Sequence, residues 1–74
     1  MNNERRARIK TAHKMIKDAL QILESVKDDE EDAFDNLSEG LQQTMRGEQM
    51  EENVDTLDGV IEAIEDALGE LSGM

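Results

Sequence analysis

Met50-Glu51-Glu52-Asn53-Val54-Asp55-Thr56-Leu57-Asp58-Gly59-Val60-Ile61-Glu62-Ala63-Ile64-Glu65-Asp66-Ala67-Leu68-Gly69-Glu70-Leu71 is the most regular segment of this chain. Its main apolar residues are Met50, Val54, Leu57, Ile61, Ile64, Leu68 and Leu71, advancing by alternating steps of four and three. That is an unbroken heptad seam, and Val60, Ala63 and Ala67 widen it. The pattern predicts an amphipathic helix over 48–71. Few aromatic residues and high charge also mark disordered chains, but a disordered acidic segment has no reason to keep this period.

Working outward, the first half repeats the signal. Ile9, Ala12, Ile16, Ala19, Leu23 and Val26 step by three and four, and the register continues through Glu30, Ala33 and Leu37. Leu20, Ile22 and Phe34 then fall beside the stripe. The reading is one helix over 3–36, capped by Asn2 or Asn3. It would be roughly 50 Å long, against about 36 Å for the second. Gly40 and Gly47 punctuate the segment between, Ser38 is placed to cap a short helix, and Leu41 and Met45 are expected to cover the end of the core. The predicted fold is therefore all-α: one domain, an antiparallel two-helix hairpin with a turn over 37–47.

The chain has 74 residues, no cysteine, no proline and one aromatic residue, Phe34. No disulfide or thiolate–zinc site is available to it. Two helices bury one stripe each, and a chain this small usually needs oligomerisation to complete its core. The expectation is a homodimer forming a four-helix bundle, or a larger oligomer, with Val60, Ile22 and Leu20 offered to the second copy; a monomer is the alternative.

Charge is segregated. Residues 1–17 carry six cations against Glu4, a net of +5; the remainder carries Lys27 and Arg46 against eighteen acids, a net of −16. If the turn sets residue 37 beside residue 48, facing residue numbers sum to about 85. Glu70 then lies near Lys14 and Lys17, and residues 1–13 overhang without a partner helix. The overhang holds Arg5, Arg6, Arg8 and Lys10, whose geometry suits a small phosphate-like anion. Extended duplex binding is disfavoured by the acids behind them.

Other chemistry finds little support. Asp28, Glu30, Asp32 and Glu39 match positions 1, 3, 5 and 12 of a calcium loop, but Ala33 stands where its glycine belongs. His13 is the single histidine, so a transition-metal site lacks donors. Neither a catalytic trio nor a phosphate-cradling loop is present, and a thin hairpin has no desolvated pocket for acid–base work. The methionines between the chain ends read as core packing or loop cover. No cofactor or metal is expected, and an enzyme is the least favoured class. No apolar run is long enough to span a membrane and no leader is evident, so the expected compartment is the cytosol.

Glu51, Asp55, Asp58, Glu62 and Glu65 recur every three or four residues, a carboxylate row with roughly 5 Å between neighbours along the axis. It reads either as an ordinary solvated helix face or as a surface for a basic partner.

The segment Glu31-Asp32-Ala33-Phe34-Asp35-Asn36-Leu37-Ser38-Glu39-Gly40-Leu41-Gln42, followed by Arg46-Gly47-Glu48-Gln49-Met50-Glu51, resembles a family of small acidic proteins from bacteriophages and bacterial genomes. Its members carry a similar E-x-A-F/Y-D-N-L-P-E-x-L-Q segment and a following R-G-E-x-M, often with proline where this chain has Ser38. The resemblance implies a phage or prophage origin and a host-interaction role, and it lends no catalytic residues. Three readings follow: a binding protein whose acidic face engages a host protein, with nucleic-acid mimicry as one form of that engagement; an oligomeric sponge for a nucleotide-like anion; and a structural assembly component.

Overall fold

A computed structural model describes residues 1–74 as three helices: α1 (Asn3–Asp35), α2 (Glu39–Gln42) and α3 (Met45–Ser72). α1 and α3 pack antiparallel along a rod of 58 × 15 × 13 Å, with the short α2 at the elbow. No helix is long and apolar enough to cross a membrane.

The helix ends follow from local chemistry. The Asn2 side chain accepts a hydrogen bond from the Arg5 backbone N–H at 2.9 Å, occupying one of the donors that a helix start leaves free. Ser38 and Thr44 cap α2 and α3 in the same way. At the elbow, the Gln42 side-chain amide donates to the carbonyls of Phe34 and Leu37, both at 3.2 Å. One glutamine thus ties the end of α1 to the end of α2.

The second helix starts three residues earlier than the sequence pattern implied, because Thr44 rather than Gly47 marks its beginning. Gly47 is not a break. It lies buried in the first turn of α3, where a Cβ would come within 2.7 Å of the Gln42 backbone. The glycine permits a close approach between two pieces of main chain. Nor do Leu41 and Met45 cover the core, being 53% and 86% exposed; half-buried Leu37, Gln42 and Met50 take that place.

The α3 seam is as read: Met50, Val54, Leu57, Ile61, Ile64, Leu68 and Leu71 are the shielded apolar positions, with Ile61 and Leu68 the most buried of them. On α1 the seam differs. Ile9, Ile16, Leu23 and Glu30 belong to it, but the alternate positions are His13, Leu20, Lys27 and Phe34, not Ala12, Ala19, Val26 and Ala33. Leu20 is the most buried side chain of the core at 7% exposure. The physical reason is bulk: Leu20 and Phe34 bury far more apolar area than the alanines before them. The methionines are not core residues as a group either, since Met15 is 67% exposed.

This seam carries three polar side chains on α1, and each meets a polar group of α3. His13 Nε2 lies 3.1 Å from Ser72 Oγ. Lys27 pairs with Asp58. Asn53 donates to Glu30 Oε2 at 2.9 Å. The facing numbers of the first two pairs sum to 85, the register expected from the turn. Polar side chains in a heptad seam weaken packing but penalise every slipped register, in which they would face apolar positions.

The expected contacts of Glu70 with Lys14 and Lys17 do not form. Lys14 reaches Asp18 in its own helix at 3.0 Å. By heptad position Glu70 lies on the opposite side of the rod from both lysines. The unpaired overhang is also shorter than thirteen residues. Arg6, Ile9, Lys10 and His13 line a groove with Leu71, Ser72 and Met74, so the chain's end folds over that stretch.

Candidate functional site: a two-helix acidic face

Once the buried positions of both helices are called a and d, the remaining positions sort onto two sides of the rod. In an antiparallel helix pair, e positions flank e and g positions flank g. The e and b positions of α3 are Glu51, Asp55, Asp58, Glu62 and Glu65, the row already singled out from the sequence. The e and b positions of α1 near the elbow are Glu24, Asp28, Glu31 and Asp35.

The structure brings the two rows together. One surface groove is lined by Glu24, Lys27 and Asp28 of α1 with Asp58, Glu62 and Glu65 of α3. The next groove toward the elbow is lined by Glu31 and Asp35 of α1 with Glu51 and Asp55 of α3. Nine carboxylates thus share one face. The α1 half of this surface was hidden in the sequence, because it appears only in the phase of α1 that runs through His13, Leu20, Lys27 and Phe34.

Lys27 is the one cation embedded in this face. Its aliphatic stem occupies the seam while its ammonium reaches out to the acids, so the side chain is only 24% exposed. The hydrogen bond to Asp58 raises its pKa above the ordinary 10.5, against a smaller opposing effect of desolvation, with further help from the charges of Asp58 and Glu31. Glu31 lies 3.6 Å from the ammonium. Asp58 is therefore occupied by an internal partner, whereas Asp55, Glu62 and Glu65 form no ion pair.

Toward the open end the same face of α1 turns basic, through Lys10, Lys14 and Lys17. The four candidate anion-binding residues do not converge. Arg6 and Lys10 line the open-end groove, while Arg5 and Arg8 project from the other side of α1, where Arg8 pairs with Glu4 at 3.6 Å. No group of three or more metal-ligating side chains is clustered. The segment with partial calcium-loop spacing is α-helix through Asp35, which points Asp28, Glu30 and Asp32 in different directions.

No protein-family model, curated protein or solved structure matches this chain.

Proposed function

We propose that this protein is a non-catalytic, self-associating interaction protein that binds a basic protein surface through its acidic face, in keeping with a phage-related host-interaction role. The observation that carries the reading is the convergence of carboxylates from two helices on one side of the rod around a single lysine. Two rows carried by a pair of packed helices, whose axes usually lie about 8–10 Å apart, offer negative charge in parallel tracks, as the two phosphate strands of a duplex do. A nucleic-acid-binding protein of the host is the partner class that this pattern fits.

Folded helices supply the rows with little further ordering cost, which favours affinity. The charge density also steers encounter and makes binding salt-sensitive. The test uses Asp55→Lys with Glu62→Lys, which reverses two carboxylates without disturbing the Lys27–Asp58 pair. Protein captured from bacterial lysate by the wild type is purified and titrated against both forms, with duplex DNA as competitor. Affinity should fall by about 100-fold in the variant, and duplex DNA should displace the complex. Equal affinity for both forms would refute the acidic-face reading.

A further inference from the structure

The middle of the side of the rod opposite the acidic face is apolar. Along α1 the c and g positions run Arg5, Arg8, Ala12, Met15, Ala19, Ile22, Val26, Asp29, Ala33, and the corresponding stripe of α3 runs Asn53, Thr56, Val60, Ala63, Ala67, Glu70. Ile22 is 65% exposed, and Met15, Val26 and Val60 are also open to solvent. The central part of the α1 stripe is symmetric in its chemistry about Ala19: five apolar positions from Ala12 to Val26, flanked by Arg8 on one side and Asp29 on the other.

We infer that this face seats a second copy of the chain with its long axis reversed, α1 against α1, so that Arg8 of each copy meets Asp29 of the other. This specifies the surface and geometry of the self-association in the proposed function, and it does not depend on the acidic face.

Three observations select that occupant and that direction. The first is area. A compact protein of this mass exposes about 4,600 Å². This chain exposes 5649 Å². The excess of about 1,000 Å² compares with roughly 800 Å² contributed by each partner to a standard interface. The second is end-to-end complementarity. Reversal about Ala19 brings Arg8 to within about one residue of Asp29 in the second copy. The third is global charge. Residues 19–66, the elbow half, carry sixteen acids against two cations, a net of −14, and the rest of the chain carries +3. A dimer with parallel rods would set the two −14 halves side by side, whereas reversal sets each against a +3 half.

The test reads mass, geometry and pairing separately. Sedimentation and light scattering of the wild type should give twice 8.3 kDa. A mass of 8.3 kDa at every concentration overturns the inference. Ile22→Glu places a carboxylate at an exposed position of the lone hairpin, so helicity should persist while the dimer dissociation constant rises by about 100-fold or more. Arg8→Asp should weaken dimerisation roughly tenfold, and adding Asp29→Arg should restore it. Within one chain these residues are roughly 30 Å apart, so restoration cannot arise internally. Because the chain has no cysteine, Ala19→Cys gives a clean geometric readout. Position 19 meets its own copy in the reversed dimer and should form a disulfide under mild oxidation; in the parallel arrangement α1 faces α3, and no such disulfide forms. Absence of the cross-link, or failure of the double charge swap to rescue, refutes the reversed pairing even if Ile22→Glu proves too disruptive to interpret. Loss of a foreign partner from Ile22→Glu with the mass unchanged assigns the face to that partner and overturns the inference. None of these variants touches Asp55 or Glu62, so failure here and failure of the acidic-face reading are distinguishable.

Discussion

Alanine normally stabilises a helix when it replaces glycine, by about 1 kcal/mol at an interior position. At Gly47 the sign should reverse. A Cβ there would lie 2.6 and 2.7 Å from the carbonyl carbon and Cα of Gln42, closer still to its carbonyl oxygen. These are backbone atoms, held in place because the Gln42 side chain is bonded to Phe34 and Leu37. Relief would require α2 to move off the first turn of α3. Overpacking of this kind costs about 1–3 kcal/mol, and the loss of either Gln42 hydrogen bond adds about 1 kcal/mol. Offsetting the helix-propensity gain, the net destabilisation should be about 1–3 kcal/mol. Gly59 and Gly69 provide internal controls, since nothing lies within 4 Å of a Cβ at either. Each alanine there should stabilise by up to about 1 kcal/mol. Urea unfolding followed by circular dichroism at one fixed protomer concentration separates the cases. With an m-value near 1 kcal/mol/M, Gly47→Ala should lower the midpoint by about 1–3 M. A Gly47→Ala protein as stable as the wild type would refute the close-approach account of the elbow.

Other outcomes follow from burial and charge. Leu68→Ala should cost about 2–4 kcal/mol in the same assay, and Met45→Ala, at 86% exposure, less than about 0.5 kcal/mol. The folded state raises the pKa of Lys27 above 10.5, so its contribution is fully present below that value and is lost as pH rises through the folded pKa. Unfolding midpoints of the wild type should therefore fall above pH 10.5 more than those of Lys27→Met, and identical alkaline profiles would remove the pair's role. Ser38 has φ −63°, the angle a proline ring imposes, and its side chain caps Leu41 only at a long 3.4 Å. Ser38→Pro should therefore leave thermal stability within about 1 kcal/mol of the wild type.

The α3 helix was legible because every seam position from Met50 to Leu71 is apolar, leaving one possible phase. On α1 two phases share Ile9, Ile16 and Leu23, and counting apolar letters favours the one through Ala12, Ala19 and Val26. The folded chain uses the other phase, which admits His13 and Lys27. Side-chain volume would have separated them, since Leu20 and Phe34 outweigh Ala19 and Ala33. The error had a functional cost, because it concealed that Ala12, Met15, Ala19, Ile22 and Val26 form a face of their own. Gly47 misled for a different reason. Glycine beside a polar run is the usual mark of a break, and a close approach to Gln42 leaves no trace in linear order. The antiparallel register could be read from the turn length alone, but the partner of each charged residue could not, since that depends on which side of each helix it occupies.

The hairpin is tied at one end only. Gln42, Thr44 and Gly47 fix the elbow, whereas the far end is joined by the last apolar seam positions, Ile9 and Leu71, the single His13–Ser72 hydrogen bond and the light cover of Met74. Local opening will start at that far end and run inward, so amide exchange should slow progressively from the terminal turns toward Phe34 and Val54. Refolding traces the same path backward: the short loop closes first, and each heptad then joins at small additional entropy, as in a zip drawn from its stop.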